Sequence, residues 1–215
     1  MKNTATFILS VTSMIAFVHG YQKPTTDQLS TICATLEPGH GSGKQNTNPP
    51  FMISFGSTTT YSPGNPVTIT LRSCMKYTFK GFFMQARYAA VGSDQSQYLG
   101  SFIADNTVTH CNGHAISHNE DSDKVFKTVT WNPPNTNTTG HVNFMVTFVM
   151  EEHEYWSYIT SQPLLDSRLN TTGTLNPPTM LLANCTAAST ASYMAYNQAT
   201  VFTFFGVIQA VLYLW

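Results

Sequence analysis

The chain has 215 residues, of which 10% are charged, and its formal net charge at pH 7 is −1. A near-neutral chain without a local cluster of lysines and arginines lacks the electrostatic field that attracts phosphate backbones, so nucleic acid is not an expected partner. The same argument disfavours a heparin-type polyanion. The length predicts one domain with appendages, because single cores usually contain about 100–200 residues.

The amino terminus has the features of a secretory signal peptide. Lys2 precedes an apolar run over residues 7–18, and small or modest residues lead to Gly20. This order predicts a signal at residues 1–20 that is cleaved after Gly20. An amphipathic core helix is the alternative, but the run has no polar-face period.

Three Asn-x-Ser/Thr sequons are relevant because the predicted signal peptide directs the chain into the secretory pathway. They begin at Asn137, Asn170 and Asn184. Such sequons accept N-linked glycans in secreted proteins. We therefore predict a glycoprotein, in a compartment where disulfides can form.

The carboxyl terminus resembles a lipid-anchor signal. The last charged residue is Arg168, and residues 201–215 form a nearly continuous apolar run. A polar spacer at 193–200 and small residues at 187–192 precede this run. The order is typical of a GPI-anchor signal, with Ser189 as the expected attachment residue. A retained membrane helix and a buried terminal helix are the alternatives.

These features predict a domain organisation and a location. The predicted parts are the signal peptide, one domain at residues 21–163, a Thr/Asn/Pro-rich stalk at 164–192 and a hydrophobic anchor signal or membrane helix at 193–215. The expected location is the extracellular face of the plasma membrane, with a secreted protein as the alternative.

Alternating apolar residues predict an all-β fold. Residues 21–48 are turn-rich, and no soluble helix is predicted. Turn signals at 132–140 favour a long hairpin between the strands on either side. Loop-rich connections between the strands favour a two-sheet antiparallel β-sandwich. The predicted strands are residues 51–55, 67–72, 79–90, 98–104, 125–131, 141–150 and 155–160.

The segment at 79–90 is the densest apolar stretch of the predicted domain. In an extended strand Phe82 and Met84 point to one side, whereas Gln85 and Arg87 point to the other. One face is therefore expected to be core and the other mixed. In the strand at 125–131, Val125 falls in step with the apolar positions that follow it.

A series of short motifs in a fixed order resembles the reeler domain, the amino-terminal module of reelin and spondin-type proteins. The module is also similar to small secreted insect defence proteins and to the outer part of ferric-chelate reductase-like proteins. The resemblance covers about residues 21–161 and implies an immunoglobulin-like sandwich. The motifs are Cys33, Pro-Gly-His at 38–40, Pro-Phe at 50–51, Tyr-Ser-Pro-Gly at 61–64, residues 79–87, Gly-Ser-Phe at 100–102, Cys111, Ala-Ile-Ser-His at 115–118, Trp-Asn-Pro-Pro at 131–134 and Tyr-Trp at 155–156.

The four cysteines allow three pairings on sequence grounds. The resemblance implies a bridge between Cys33 and Cys111. Cys74 and Cys185 are not positions associated with the module, and they form the default second pair in an oxidised chain.

The resemblance implies binding rather than catalysis. Innate immune recognition of a microbial surface glycan is the first functional expectation, and adhesion or binding to a matrix component is the alternative. A metal- or redox-associated ectodomain is third, but no haem-binding membrane domain follows the module, so reductase chemistry is not carried over. No cofactor is expected, and the extracellular ligand is not identified.

Four histidines offer a weak metal signal. His110, His114 and His118 are spaced four apart, which would align them on a helix, but the sequence between them is a turn. His118 belongs to the Ala-Ile-Ser-His motif and is expected to make a structural hydrogen bond. His40 could approach the Cys111 loop only through the Cys33 bridge.

Two carboxylate-rich segments have structural alternatives that are favoured. Residues 119–123 could chelate calcium, but they lack the glycine and distal glutamate of an EF-hand loop, so a solvated acidic turn is favoured. Residues 151–154 combine carboxylates with an imidazole. Their place between two strands favours a hairpin loop.

Aromatic side chains could provide a platform for a sugar. Trp131 and Trp156 are expected in the core, where such rings usually lie. The exposed candidates for recognition are Tyr61, Tyr98 and Tyr155.

Overall fold

The computed structural model describes residues 26–39, 43–74, 77–135, 137–170 and 173–179. The predicted signal peptide and anchor signal lie outside these ranges, as do His40, Asn184, Cys185 and Ser189. The statements about these residues remain predictions.

The regular elements of the described chain are one helix, two large antiparallel sheets and a short two-stranded sheet. The helix α1 spans Thr26–Thr35, and a 3-10 turn spans Cys111–Gly113. The strands are β1 (Phe51–Ser54), β2 (Thr60–Tyr61), β3 (Val67–Ser73), β4 (Gly81–Tyr88), β5 (Ser101–Ile103), β6 (Val108–His110), β7 (Ala115–Ser117), β8 (Phe126–Asn132), β9 (Val142–Glu151), β10 (Glu154–Thr160) and β11 (Leu165–Asp166).

The sheets form a sandwich. The four-stranded sheet has the order β1-β3-β8-β5, and the five-stranded sheet has the order β10-β9-β4-β7-β6. Every pairing within them is antiparallel, whereas β11 pairs with β2 in parallel. The predicted all-β antiparallel sandwich is thus confirmed.

Aromatic rings fill the space between the sheets. Phe51 stacks on Phe148 at 4.8 Å between ring centroids, and Trp131 meets Phe144 edge to face at 5.3 Å. The buried Trp131 indole N–H donates to the Leu99 carbonyl at 2.9 Å. Large apolar side chains from both sheets therefore interlock, as a sandwich core requires.

Gly100 shows why that packing constrains the sequence. Its φ is +66°, and a Cβ atom there would lie 2.3 Å from the Asn132 carbonyl oxygen and 2.6 Å from the Trp131 indole nitrogen. A side chain at this position would strain the backbone and collide with the core. Glycine is therefore required beside Trp131.

The predicted strands are confirmed, but three other expectations are wrong. Residues 26–35 of the turn-rich segment form α1. The strands before and after residues 132–140 do not form a hairpin, because β8 lies in the four-stranded sheet and β9 in the five-stranded sheet. Val125 precedes β8 and is 56% exposed rather than facing the core.

The folded chain continues past residue 163, where the sequence placed the start of a stalk. Leu164 is fully buried, and β11 pairs with β2. The Asp166 carboxylate, 1% exposed, lies 2.7 Å from the Arg168 guanidinium and accepts the Tyr61 hydroxyl at 3.2 Å. These contacts fix the first residues of the supposed stalk to the sandwich.

Candidate functional site

The outer face of the five-stranded sheet, opposite the core, carries an unusual set of buried polar side chains. Gln85 and Asn143 are fully buried, and Arg87 is 2% exposed. Strand pairing places Asn143 beside Arg87, and an isolated bridge places Tyr98 on its other side. We call Asn143, Arg87 and Tyr98 the arginine row.

The end of α1 lies against this face. The Cys33 carbonyl oxygen accepts hydrogen bonds from Gln85 Nε2 at 2.9 Å, from Arg87 Nη2 at 3.1 Å and from the Tyr98 hydroxyl at 3.0 Å. The last carbonyls of a helix lack intrahelical partners and carry partial negative charge. The buried donors therefore satisfy the end of α1 and hold it on the sheet.

Arg87 is buried without an ion pair to any described carboxylate. Its guanidinium lies 4.5 Å from the centre of the Tyr98 ring and donates twice to the Gln85 amide oxygen. Burial lowers the pKa of Arg87 from its ordinary value. Carbonyl oxygens, the helix end and a ring face thus stabilise the charge in place of a counter-ion.

A disulfide fixes the same contact covalently. Cys33 and Cys111 are bonded, with 5.9 Å between their Cα atoms, as the resemblance implies. The Gln85 amide lies 3.6 Å from the Cys111 sulfur. Cys74 is also disulfide-bonded, but its predicted partner Cys185 lies outside the described residues, so that pairing stays a prediction.

Partly exposed rings lie around the covered face. The Tyr98 ring stacks on His114 at 5.4 Å with an interplanar angle of 5°. Tyr158, 42% exposed, has a φ of +60° within an irregular part of β10, and the Lys44 ammonium lies 5.1 Å from its ring centre. We call Tyr98, His114, Lys44 and Tyr158 the rim. Positive φ at a bulky residue is uncommon and is enriched at binding sites.

The three histidines of the metal hypothesis each have their own partner. His110 Nε2 lies 2.8 Å from the Ser117 hydroxyl, and His114 Nδ1 lies 2.6 Å from the Gly100 carbonyl. His118 Nδ1 lies 3.1 Å from the backbone of Phe82, so its expected structural hydrogen bond is confirmed. Burial lowers the pKa of both His110 and His118. In the part of the chain that the structure describes, no cluster of His, Cys, Asp and Glu is placed to hold a metal ion.

A lysine ammonium occupies the centre of the acidic turn that was considered for calcium. Lys124 is 8% exposed and donates to the carbonyl oxygens of Lys80, Glu120 and Ser122 at 2.7–3.1 Å. The Glu120 carboxylate lies 2.8 Å away, and its hydrogen bonds with Lys124 and Ser122 lower its pKa to about 2. The turn therefore carries its own cation.

Residues 151–154 form the expected turn between β9 and β10, and Glu151 pairs with Lys80 at 2.8 Å. Lys80 also provides a carbonyl to Lys124, so both carboxylate-rich segments lie at one end of the sandwich. One carboxylate of each segment, Glu120 and Glu151, pairs with a lysine there. The hairpin interpretation is confirmed.

The aromatic predictions divide into two groups. Trp131 and Trp156 are buried, as expected. Tyr61 and Tyr155 are 2% and 5% exposed, so their prediction as exposed recognition residues is wrong. Tyr61 is covered by the chain around Asp166. Burial raises the pKa of Tyr61, and the nearby Asp166 carboxylate raises it further. Of the three tyrosines, Tyr98 alone is partly exposed.

Sequence reasoning missed Tyr158, Lys44 and the buried partners of Arg87. The two polar residues Gln85 and Arg87, inside an otherwise apolar strand, could have indicated that Arg87 has buried partners. Two predicted glycan acceptors, Asn137 and Asn170, are exposed, and their glycosylation stays a prediction.

Comparison with known families gives the chain its class. The family model of the reeler domain matches residues 31–172. That match covers more than half of the 215 residues. The chain therefore belongs to the reeler domain family.

Curated relatives carry two kinds of name. A Danio rerio protein named "Putative ferric-chelate reductase 1" is 30% identical over 181 residues, which are 82% of this chain and 30% of that protein. The "Putative defense protein Hdd11" of Hyphantria cunea is 28% identical over 74% of this chain and 96% of its own length. The "Defense protein l(2)34Fc" of Drosophila melanogaster is 33% identical over 65% of this chain and 84% of its own length.

Among solved structures, the human F-spondin reeler domain is similar at 19% identity. It covers 59% of this chain and 94% of its own, with a TM-score of 0.49.

Among the residues that the structure describes, no helix has both the length and the apolar character needed to cross a membrane.

Proposed function

We propose that this chain is an extracellular binding protein of the reeler family that recognises microbial surfaces in innate defence. The observation that carries the proposal is the extent of the match to the insect defence proteins. The aligned region is 96% of the Hyphantria cunea protein, whereas it is 30% of the reductase-named relative. The shared domain thus accounts for nearly all of a defence-named protein.

The disulfide supports an extracellular location. Cys33 and Cys111 are bonded across 78 positions of sequence. Such structural bridges form in oxidising compartments and are rare in the cytosol. The predicted signal peptide and sequons agree with this location, and the predicted anchor at Ser189 would retain the protein at the cell surface.

The rim is the proposed recognition surface. Tyr158 offers an exposed ring, and the Lys44 ammonium, which is ion-paired with Glu37, lies beside it. Tyr98 and His114 provide a second stacked pair. Rings with polar tips suit a ligand with both apolar faces and hydroxyl groups, such as a cell-wall glycan. The helix and disulfide beneath hold these groups in place before binding.

A binding assay with paired ligand panels tests the function. The glycosylated full-length protein would be incubated with insoluble bacterial peptidoglycan and fungal glucan, and separately with immobilised laminin and fibronectin. We expect depletion of the protein by at least one microbial material and by neither matrix protein. Binding to matrix alone would favour the adhesive alternative, and binding to neither would contradict the proposal.

A metal- or redox-associated role is the second candidate because the Danio rerio relative aligns with 82% of this chain. It predicts iron, copper or haem in the purified protein. Elemental analysis and an absorption spectrum distinguish this role from the first, and protein free of metal and colour would contradict it.

Surface attachment has its own test. Treatment of intact expressing cells with a phosphatidylinositol-specific phospholipase should release a protein that has lost residues 201–215. Retention of the protein with this tail present would instead indicate a membrane helix.

A further inference from the structure

The Arg87 guanidinium has hydrogen-bonding capacity that the described chain does not use. Its Nε and Nη2 donate to the Gln85 amide oxygen and to the Cys33 carbonyl. Among the described residues, no acceptor takes a hydrogen bond from Nη1, and no carboxylate forms an ion pair with Arg87. Asp94 acts on the pKa of Arg87 only from a distance, and its Oδ1 accepts from Ser96. A charged donor is therefore left over on a residue that is 2% exposed.

An acceptor without a partner lies beside this donor. Asn143 is directly opposite Arg87 in the pairing of β4 with β9, and such neighbours have Cβ atoms about 5 Å apart on one face of a sheet. The fully buried Asn143 donates through Nδ2 to the Ser161 carbonyl at 2.7 Å. Its Oδ1 has no hydrogen-bond partner in the part of the chain that the structure describes. Because such atoms are rare in native proteins, a water or a ligand group is expected to supply the missing donor.

Two tyrosines of the rim lie near this unpaired donor and acceptor. The Tyr98 ring lies over the guanidinium, and electrostatic interactions with both Tyr98 and Tyr158 oppose the lowering of the Arg87 pKa by burial. Tyr158 is exposed and Tyr98 is partly exposed. The aromatic surroundings of Arg87 therefore reach the solvent, although the guanidinium itself is nearly covered.

The chemistry of these groups defines the ligand that fits. A guanidinium forms charge-assisted hydrogen bonds with carboxylate and phosphate oxygens. Because Arg87 is nearly covered, a small planar carboxylate fits better than a tetrahedral phosphate. Asn143 Oδ1 needs a hydroxyl or amine donor, and tyrosine rings suit the apolar face of a sugar. A sugar acid offers a carboxylate, hydroxyl groups and an apolar ring face in one molecule.

We propose that the arginine row is a subsite for a sugar acid, whose carboxylate accepts a hydrogen bond from Arg87 Nη1 while one of its hydroxyl groups donates to Asn143 Oδ1. The sugar ring then lies against the tyrosines of the rim. The proposal rests on the proposed function, because it specifies the recognised glycan as an acidic one. A single buried arginine recognises one carboxylate and does not need the extended basic surface that a polyanion requires.

Saturation-transfer NMR on the glycosylated full-length protein tests the subsite with small probes. We expect D-glucuronate to bind, and neutral D-glucose and acetate each to bind about tenfold more weakly or less, since each lacks part of the recognised pattern. Glucose that binds as well as glucuronate would show that the carboxylate is not recognised. Acetate that binds equally well would show an anion site without sugar recognition. Either result, or no binding of glucuronate, would overturn the proposal.

Asn143→Asp tests the same contact from the side of the protein. The variant keeps the size of the side chain but places a carboxylate beside Arg87, where it competes with that of the ligand, so glucuronate should bind about tenfold more weakly. Arg72→Ala, which removes an arginine from the other sheet, is the control and should bind glucuronate as the unchanged protein does. Unchanged affinity in a folded Asn143→Asp protein would overturn the proposal. The comparison of probes on the unchanged protein stands whether or not this variant folds.

Competition distinguishes a failure of the subsite from a failure of the proposed function. Glucuronate at a saturating concentration should reduce sedimentation of the protein with the microbial material that it binds. Sedimentation that glucuronate does not reduce would overturn the subsite and leave the function in place. Binding of glucuronate by a protein that sediments with no microbial material would support the subsite and contradict the function.

Discussion

The two outer faces of the sandwich differ in what covers them. On the five-stranded sheet, Gln85, Arg87 and Asn143 are buried beneath the end of α1. On the four-stranded sheet, Thr68 and Thr128 are exposed to solvent. Both faces arise from the same alternation of inward and outward side chains. Among the described residues, the difference comes from the end of α1, which is docked on the five-stranded sheet.

The comparison shows how a polar face becomes rigid. Threonines on an open strand face need no partner other than water. Buried amide and guanidinium groups must find acceptors in the protein, because each unsatisfied group costs about 1–3 kcal/mol. The end of α1 provides those acceptors, and the disulfide keeps it there. The covered face is therefore the better support for a recognition surface.

Removal of the Cys33–Cys111 bridge should have the largest effect. The double variant Cys33→Ser/Cys111→Ser should lower the free energy of unfolding by about 4 kcal/mol, since the bridge closes a long loop. Chemical denaturation followed by tryptophan fluorescence measures this. A loss below about 1 kcal/mol would mean that α1 docks equally well without the bond.

Loss of the Arg87 side chain should come next. Arg87→Ala leaves the Cys33 carbonyl and the Gln85 amide oxygen with fewer donors, so we expect about 3 kcal/mol of destabilisation. Arg72→Ala, on the open face, is the matched control and should change stability by about 0.5 kcal/mol or less. Equal effects of the two substitutions would contradict the distinction between the faces.

Asp166 should make the stability depend on acid pH. Its burial opposes ionisation, but hydrogen bonds from Arg168 and Gly140 outweigh this and lower its pKa to about 2, from 3.8. The unfolded chain therefore takes up the proton first, and the contribution, about 2 kcal/mol, is present above about pH 4 and lost as the pH falls towards 2. In Asp166→Asn this part of the pH dependence should be missing. If the free energies of unfolding of the two proteins change equally between pH 2 and pH 5, the assignment is wrong.

Lys124 should have a smaller effect. Lys124→Met removes the donor that three carbonyl oxygens share, and we expect a loss of about 1–2 kcal/mol. Lys127→Met is the control, because Lys127 donates to the Asn106 carbonyl at an exposed site. If added Ca²⁺ raises the melting temperature of the unchanged protein, the turn binds a metal in spite of the ammonium.

The sandwich could be predicted from the sequence because alternation along β4 and β9 is strong. The helix could not, because ten residues of mixed polarity are stable as a helix mainly through contacts with a distant sheet. Residues 132–140 were misassigned for a related reason. Turn residues show that the chain bends, but not whether the next strand joins the same sheet.

The candidate site was only partly predictable. The Cys33–Cys111 bond followed from the resemblance. The covered row instead depends on contacts between distant parts of the sequence, such as the hydrogen bond from the Arg87 guanidinium to the Cys33 carbonyl across 54 positions. Tyr61 was misassigned because its cover, the chain around Asp166, was taken for a stalk. No local pattern distinguishes an exposed tyrosine from one that a later segment buries.

The most direct test of the account is a comparison of two exposed aromatic residues on opposite faces. Tyr158→Ala and Phe126→Ala would be sedimented with the microbial material that the unchanged protein binds. We expect Tyr158→Ala to lose most of the binding and Phe126→Ala to retain it, with similar unfolding midpoints. Loss of binding in Phe126→Ala with retention in Tyr158→Ala would place recognition on the open face and contradict the account.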